Sequence, residues 1–293
     1  MKFLCLHGMG TSSMIFEAEL KKYTEVLGVG HEFVFINGFH ESGPAAGLPE
    51  SATPPYFCFY RKISCSEMQV THDELKAIIE DEGPFDACIG FSQGAAVLTS
   101  YLMEHEIKRS TEKPPFAFAV MFSPTISVAP DQKFGQDYIE RYAKYYDHNR
   151  DMTKKVKVKV TKSRAALLLP GQKAQLVAEF QDLIAQGMQS AAENGEVQED
   201  TGMDINDVNT WPRVFHPFLC EERIRIPTVY VMGKEDPYKD QSKLSRRLCE
   251  PTVSRTVEHG GVHMVPRAMK DVKKVVQAIE WAMHQSTVSA FQY

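Results

Sequence analysis

The run Asp86-Ala87-Cys88-Ile89-Gly90-Phe91-Ser92-Gln93-Gly94-Ala95-Ala96-Val97 constrains this chain more than any other segment. Its first half is short and apolar and reads as a buried strand; its second half is the small-residue start of a helix. Between them stands a G-x-S-x-G pattern, Gly90-Phe91-Ser92-Gln93-Gly94. A chain that passes from strand to helix so abruptly must turn sharply, and glycines let neighbouring backbone come close. The pattern reads as a nucleophile elbow, a strained turn that pushes a serine hydroxyl into the open. The helix N-terminus behind Ser92 offers N–H groups and a positive dipole end to a developing oxyanion. Five residues of this kind also fit a serine in an ordinary tight turn; the strand before and the helix after distinguish this instance.

Other apolar runs alternate with helical patterns, which is how a mainly parallel sheet is written. Strands are expected at Lys2–Leu6, Glu32–Ile36, Ala87–Gly90, Phe116–Phe122, Thr228–Met232 and Ser254–Val257. Several are continuous rather than alternating, as expected when helices cover both sheet faces. Helices are expected at Met14–Val26, Ser66–Glu82, Ala95–His105, Gln241–Leu248 and Ala268–His284. The expected fold is an α/β-hydrolase core, residues 1–124 and 213–293, with a cap or lid insertion at 125–212. Within that insertion Leu176, Val177, Phe180, Leu183, Ile184 and Met188 recur on one helical face, and Tyr138, Tyr142 and Tyr145 form a second stripe. Ser190–Asn206 reads as a loop. A helical subdomain packed on the core is the plainer reading; a cap fits the tendency of long insertions to be functional.

Composition narrows the partners. A formal net charge of -5 argues against nucleic acid as the main partner. No stretch reaches the roughly 18 apolar residues of a membrane span, and Met1–Gly8 is too short an apolar start for a signal peptide. A soluble cytoplasmic chain is expected. Cys5, Cys58, Cys65, Cys88, Cys220 and Cys249 show no CxxC pair and no zinc-finger spacing with histidine, so neither disulfide, metal nor cofactor is expected.

A second Gly-rich turn, His7-Gly8-Met9-Gly10-Thr11, follows the first strand directly. Beside a nucleophile elbow, such a turn supplies the second oxyanion donor, here the backbone N–H of Met9, complementing that of Gln93. The turn matches neither G-x-x-x-x-G-K-[ST] nor G-x-G-x-x-G, which removes the phosphate-loop reading. His7 reads as a residue that orders the loop.

A nucleophilic serine needs a base, and the base needs an orienting carboxylate. In this architecture they follow the serine in the order Asp or Glu, then His. The strand Thr228–Met232 ends in Gly233-Lys234-Glu235-Asp236-Pro237, where Asp236 is the candidate and Glu235 the alternative. The next strand ends in Glu258-His259-Gly260-Gly261-Val262-His263, where His263 is favoured over His259 from loop position. His31, His72 and His216 read as surface or core residues.

With these four motifs in place, the chain resembles the fungal serine hydrolase family, which includes stand-alone thioesterases releasing polyketides, the lovastatin type among them. The resemblance spans both ends of the chain and implies the triad Ser92, Asp236 and His263. Two departures stand out. The family's H-x-G-G-H appears as His259-Gly260-Gly261-Val262-His263, and the 125–212 segment is longer than in compact members.

The resulting expectation is a serine hydrolase acting on an acyl ester or thioester through an acyl-enzyme. The resemblance implies release of a polyketide chain from an acyl-carrier domain. A free-ester carboxylesterase and an acyltransferase use the same residues, and a non-catalytic binding protein would be expected to lack a triad member. Phe57, Phe59 and Tyr60 suggest a medium or long acyl group. The basic run Lys154–Lys159, continuing to Lys162 and Arg164, is either a solvated face or a docking surface for an acidic carrier.

Overall fold

The computed structural model describes residues 1–48, 52–140, 171–172, 175–176, 178–179 and 207–289. Six strands form one parallel sheet: β1 (Lys2–Leu6), β2 (Glu32–Ile36), β5 (Ala87–Phe91), β6 (Phe118–Phe122), β7 (Thr228–Gly233) and β8 (Ser254–His259), in the order β2-β1-β5-β6-β7-β8. The helices are α1 (Ser13–Leu27), α2 (Cys65–Glu82), α3 (Gln93–Arg109), α4 (Lys239–Arg246) and α5 (Met269–Ser289). A small antiparallel hairpin, β3 (His40–Ser42) with β4 (Tyr56–Cys58), stands apart from the sheet.

The continuous apolar strands build two cores at once, because successive side chains leave a strand on opposite faces. From β1, Leu4 and Leu6 pack with α2 and α3 residues such as Met68, Leu75 and Leu98. Phe3 and Cys5 face the other way, joining Phe16 and Leu20 of α1 and Val272 and Val275 of α5. The same parity divides β6: Ala119 and Met121 on one side, Phe118, Val120 and Phe122 on the other. Each large apolar side chain buried this way contributes roughly 1.5–3 kcal/mol. The layered arrangement leaves all the strands' C-terminal ends on one edge, where β1, β5, β7 and β8 hand over to the Gly-rich turn, the elbow and the loops of Asp236 and His263.

Helix starts follow from local chemistry. Ser12 caps α1 by accepting from the Ile15 N–H at 3.3 Å, and Ser64 caps α2 by accepting from Glu67 N–H at 3.2 Å. Glu67, three residues past its cap, turns back to take the Arg61 N–H at 3.1 Å. The expected strands and helices are found, with shifted ends. The strand expected from Phe116 begins at Phe118, and Phe116 is buried before it. The β3–β4 hairpin went unforeseen because His40-Glu41-Ser42 carries no apolar alternation.

Of the 125–212 segment, Tyr138, Leu176 and Trp211 are buried in the core shared with α2 and α3. Gln175, Leu176, Ala178 and Glu179 are helical. Arg213, fully buried, fastens the segment's two ends: its guanidinium donates to Gln132 O at 2.9 Å, Trp211 O at 3.1 Å and Gln136 Oε1 at 2.6 Å. Tyr142, Tyr145, the basic run 154–164, the loop 190–206 and most of the 174–188 pattern lie outside the described residues.

Candidate active site

Ser92 follows β5 and stands at the N-cap of α3 with φ 51° and ψ -115°, a conformation that L residues rarely adopt. Its N–H is fixed to Phe122 O of the neighbouring strand at 2.9 Å. Such a backbone costs about 1–3 kcal/mol and persists where the surroundings impose it. They do so here through close contact. A Cβ on Gly94 would lie 2.4 Å from Leu6 O and 2.5 Å from His7 O, so α3 can start against the end of β1 only with glycine there.

The Ser92 hydroxyl does not cap its helix. It lies 2.8 Å from His263 Nε2. His263 Nδ1 in turn lies 2.9 Å from Asp236 Oδ2 and 3.1 Å from Oδ1. With the proton on Nδ1 and donated in a hydrogen bond to the carboxylate, Nε2 keeps its lone pair for the serine O–H. The Asp236 side chain is fully buried, whereas His263 is one-fifth exposed. Burial pushes the Asp236 carboxyl upward; the His263 ring and the Tyr238 N–H more than offset this and hold it below its ordinary value. The Tyr238 N–H donates to Asp236 Oδ1 at 2.8 Å. The His263 ring is flanked by Phe91 at 5.2 Å and by the edge of Tyr238 at 4.9 Å between centroids.

The alternatives take other positions. Glu235 is exposed, and its N–H donates to Gly261 O at 3.2 Å, stitching together the two loops that carry Asp236 and His263. His259 is buried, with Nδ1 accepting the Gly261 N–H at 3.1 Å. It braces the turn that delivers His263.

The Gly-rich turn lies directly against the elbow: a Cβ on Gly8 would stand 3.3 Å from Ser92 Cβ. Met9 follows in that turn, and Gln93 is the first residue of α3, so the two expected oxyanion donors border Ser92 on adjoining backbone. The Gly94 N–H donates to His7 O at 3.1 Å, joining the two segments.

Two buried side chains hold this backbone in place. The Gly38 N–H donates to His7 Nε2 at 2.8 Å, so the ring proton sits on Nδ1, which faces Gly8 O at 2.6 Å and Thr11 Oγ1 at 3.1 Å. Burial lowers the His7 pKa to about 4, so the ring is neutral near pH 7. Gln93, also fully buried, accepts the Phe59 N–H at 2.8 Å and donates to Tyr60 O at 2.9 Å. Phe59 and Tyr60 are themselves buried core residues, Phe59 packing 5.1 Å from His7. They are corrected here from an expected acyl-contact role to that of scaffold. The supporting roles of Gln93, Phe91 and Tyr238 were not read from the sequence; only the glutamine's place after the serine marked it.

Such an arrangement can deprotonate a serine, attack a carbonyl and stabilise the resulting oxyanion. The family described as "Serine hydrolase (FSH1)" matches residues 1–275. Esterase alnB of Emericella nidulans is 33% identical over 97% of this chain and 97% of its own length. Esterase FPY3 of Fusarium mangiferae is 25% identical over 98% of this chain and 99% of its own. Among solved structures, the chain is similar to a monoacylglycerol lipase from Paleococcus ferrophilus, with a TM-score of 0.47 and 16% identity, covering 96% of this chain and 93% of that one. With the family match running through the strand of the elbow and both loops beyond it, the chain belongs to the FSH1 serine hydrolase family.

Proposed function

We propose that Ser92, His263 and Asp236 form the catalytic triad of an acyl hydrolase acting on carrier-bound acyl thioesters, a polyketide chain among them. The observation that carries the chemistry is the hydrogen-bonded chain from Ser92 Oγ through His263 to Asp236 on a strained elbow. His263 Nε2 takes the hydroxyl proton as Ser92 Oγ attacks the carbonyl carbon. The carbonyl oxygen becomes an oxyanion facing the Met9 and Gln93 N–H groups. Collapse breaks the bond to the leaving thiol or alcohol, which leaves with the proton from His263. Water, deprotonated by the same ring, then attacks the acyl-enzyme, releasing the acid and restoring Ser92.

The thioester reading is supported by the motif resemblance to polyketide-releasing members. The names of two relatives, esterases from Emericella nidulans and Fusarium mangiferae, favour a second reading: hydrolysis of a free small-molecule ester. Intact-mass detection of an acyl adduct on Ser92, after offering carrier-bound and free donors of one acyl group, tests both. Adduct formation and turnover from the carrier-bound donor support the first reading. Turnover of the free ester alone favours the second, and no Ser92-dependent adduct from any donor overturns both.

A further inference from the structure

The G-x-S-x-G pattern leaves its second position open, and here Phe91, the last residue of β5, fills it. Strand parity sends this ring to the face shared with α1 and α5, with Phe16, Ile89 and Val272. Its space there is confined. A Cβ on Gly8 would lie 2.9 Å from Phe91 Cδ1 and 3.1 Å from Cε1, so the Gly-rich turn closes on one edge of the ring. Phe16 stacks at 6.4 Å between centroids, with 23° between planes. The His263 imidazole lies 5.2 Å from Phe91 at 33°, and Tyr238 meets His263 at 4.9 Å and 70°. The four rings make a column from core to surface: fully buried Phe16, buried Phe91, one-fifth exposed His263 and exposed Tyr238.

One member of this column changes charge in the proposed reaction. His263 is a neutral acceptor toward the Ser92 O–H, and it becomes an imidazolium once it has taken that proton. Its Nδ1 is engaged by Asp236 and its Nε2 by Ser92, both in the plane of the ring. Further stabilisation of the cation therefore has to come through the ring faces. An aromatic face within about 6 Å attracts a cation, more strongly where water is excluded. Planes at 33° are nearer parallel than perpendicular, so Phe91 offers its electron-rich face and not its positive edge. The attraction grows as the charge appears, and an interaction stronger in the transition state than in the ground state raises kcat.

We infer that Phe91 is a positioning residue for His263: its face stabilises the imidazolium, and its confinement between Gly8 and Phe16 keeps Nε2 directed at Ser92. The inference rests on the reading of His263 as the general base and adds a residue to it. The other charged and titratable groups around the imidazole are Asp236 on Nδ1, Tyr238 beside it, and the exposed Lys234 and Glu235 on the Asp236 loop. Buried His7 lies in the Gly-rich turn, buried His259 at the start of the His263 loop, and buried Asp271 on α5. A change at Phe91 leaves all of them in place.

Phe91→Leu keeps the site apolar and removes the aromatic face; Phe91→Tyr keeps the face. Both are checked for folding by their melting profiles and assayed on p-nitrophenyl acetate from pH 5 to 9. Phe91→Leu is expected to lose about three- to tenfold in kcat with KM within about twofold, the range open to a cation–π contact. The imidazolium is less favoured without the ring, so the acid limb of kcat/KM should move to lower pH by about half to one unit, the same factor on a logarithmic scale. Phe91→Tyr is expected to match the parent in both. An acid limb that stays in place or moves upward in a folded Phe91→Leu protein overturns the inference, because a packing role lowers turnover without moving it. A loss as large in Phe91→Tyr, or a change carried by KM alone, overturns it as well. Turnover that continues in Ser92→Ala would instead remove the catalytic reading beneath it, a separate outcome.

Discussion

Ser92 stands at the N-cap of α3 yet gives its hydroxyl to His263, 2.8 Å away, and not to its own helix. Serine at such a position normally accepts a helix N–H, a contact worth about 1 kcal/mol. Here that contact is forgone and a backbone at φ 51° is maintained as well. Function and stability therefore pull in opposite directions at one residue. Ser92→Gly should raise the melting temperature by a few degrees, since about 1 kcal/mol corresponds to roughly 2–4 °C in a domain of this size. It should also lower kcat by on the order of 10⁴ or more. Parallel melting and esterase assays check this; a stability loss would mean that the elbow is not strained.

Asp236 orients His263 through Nδ1, leaving Nε2 as the acceptor. Asp236→Asn preserves the shape but can stabilise the wrong tautomer, and a fall of roughly 10⁴ in kcat is expected. The folded carboxyl lies below its ordinary value of 3.8, so its contribution to stability is present above that pH and is lost as pH falls further through the folded pKa. Acid unfolding curves below pH 4 should therefore be shallower in Asp236→Asn than in the parent.

His7 gives a pH signature of opposite origin. Its pKa is lowered from 6.5 to about 4, so between those values the unfolded chain binds the proton that the folded chain refuses. Stability should fall as pH drops from 6.5 to 4 and be flat with respect to this group above 6.5. The full loss is about 3 kcal/mol. Protonation would also set an N–H on Nε2 against the Gly38 N–H, opening the turn beside Ser92. Urea titrations at pH 7 and pH 4.5 should show a difference that shrinks in His7→Asn; an unchanged difference would place the titrating group elsewhere.

Gln93 is anchored on both ends of its amide, to Phe59 N–H and Tyr60 O. Gln93→Ala strands two buried backbone groups, at about 1–3 kcal/mol each. Because the same residue presents a proposed oxyanion N–H, kcat should fall while KM changes little. Chemical denaturation paired with steady-state kinetics separates this from unfolding alone.

Gly94→Ala places a methyl group 2.4 Å from Leu6 O, backbone that cannot easily yield. Destabilisation of about 1–3 kcal/mol is expected from overpacking. The displaced helix start should cost activity at temperatures where the protein remains folded. A variant with parent-like turnover would show that α3 can shift without disturbing Ser92.

Much of this architecture was legible in the chain itself. Continuous apolar runs such as Phe118–Phe122 announce strands covered on both faces, because both parities must be buried. The elbow and the chain order of Ser92, Asp236 and His263 were likewise readable, since strand ends are where a parallel sheet gathers its loops. The choice of Asp236 over Glu235, and of His263 over His259, could only be weighed from loop position. Tertiary structure separates them: Glu235 is turned to solvent, and His259 spends its Nδ1 on the Gly261 N–H. What sequence could not decide at all was the support behind the site. His7 reaches Gly38 across 31 positions and Gln93 reaches Phe59 across 34. No local pattern encodes such bonds, because the partners are backbone groups that any residue could present. They exist only once the sheet has brought distant turns together. Composition and periodicity determined the layers and the nucleophile's turn; three-dimensional packing decided which charges meet and which histidine is neutral.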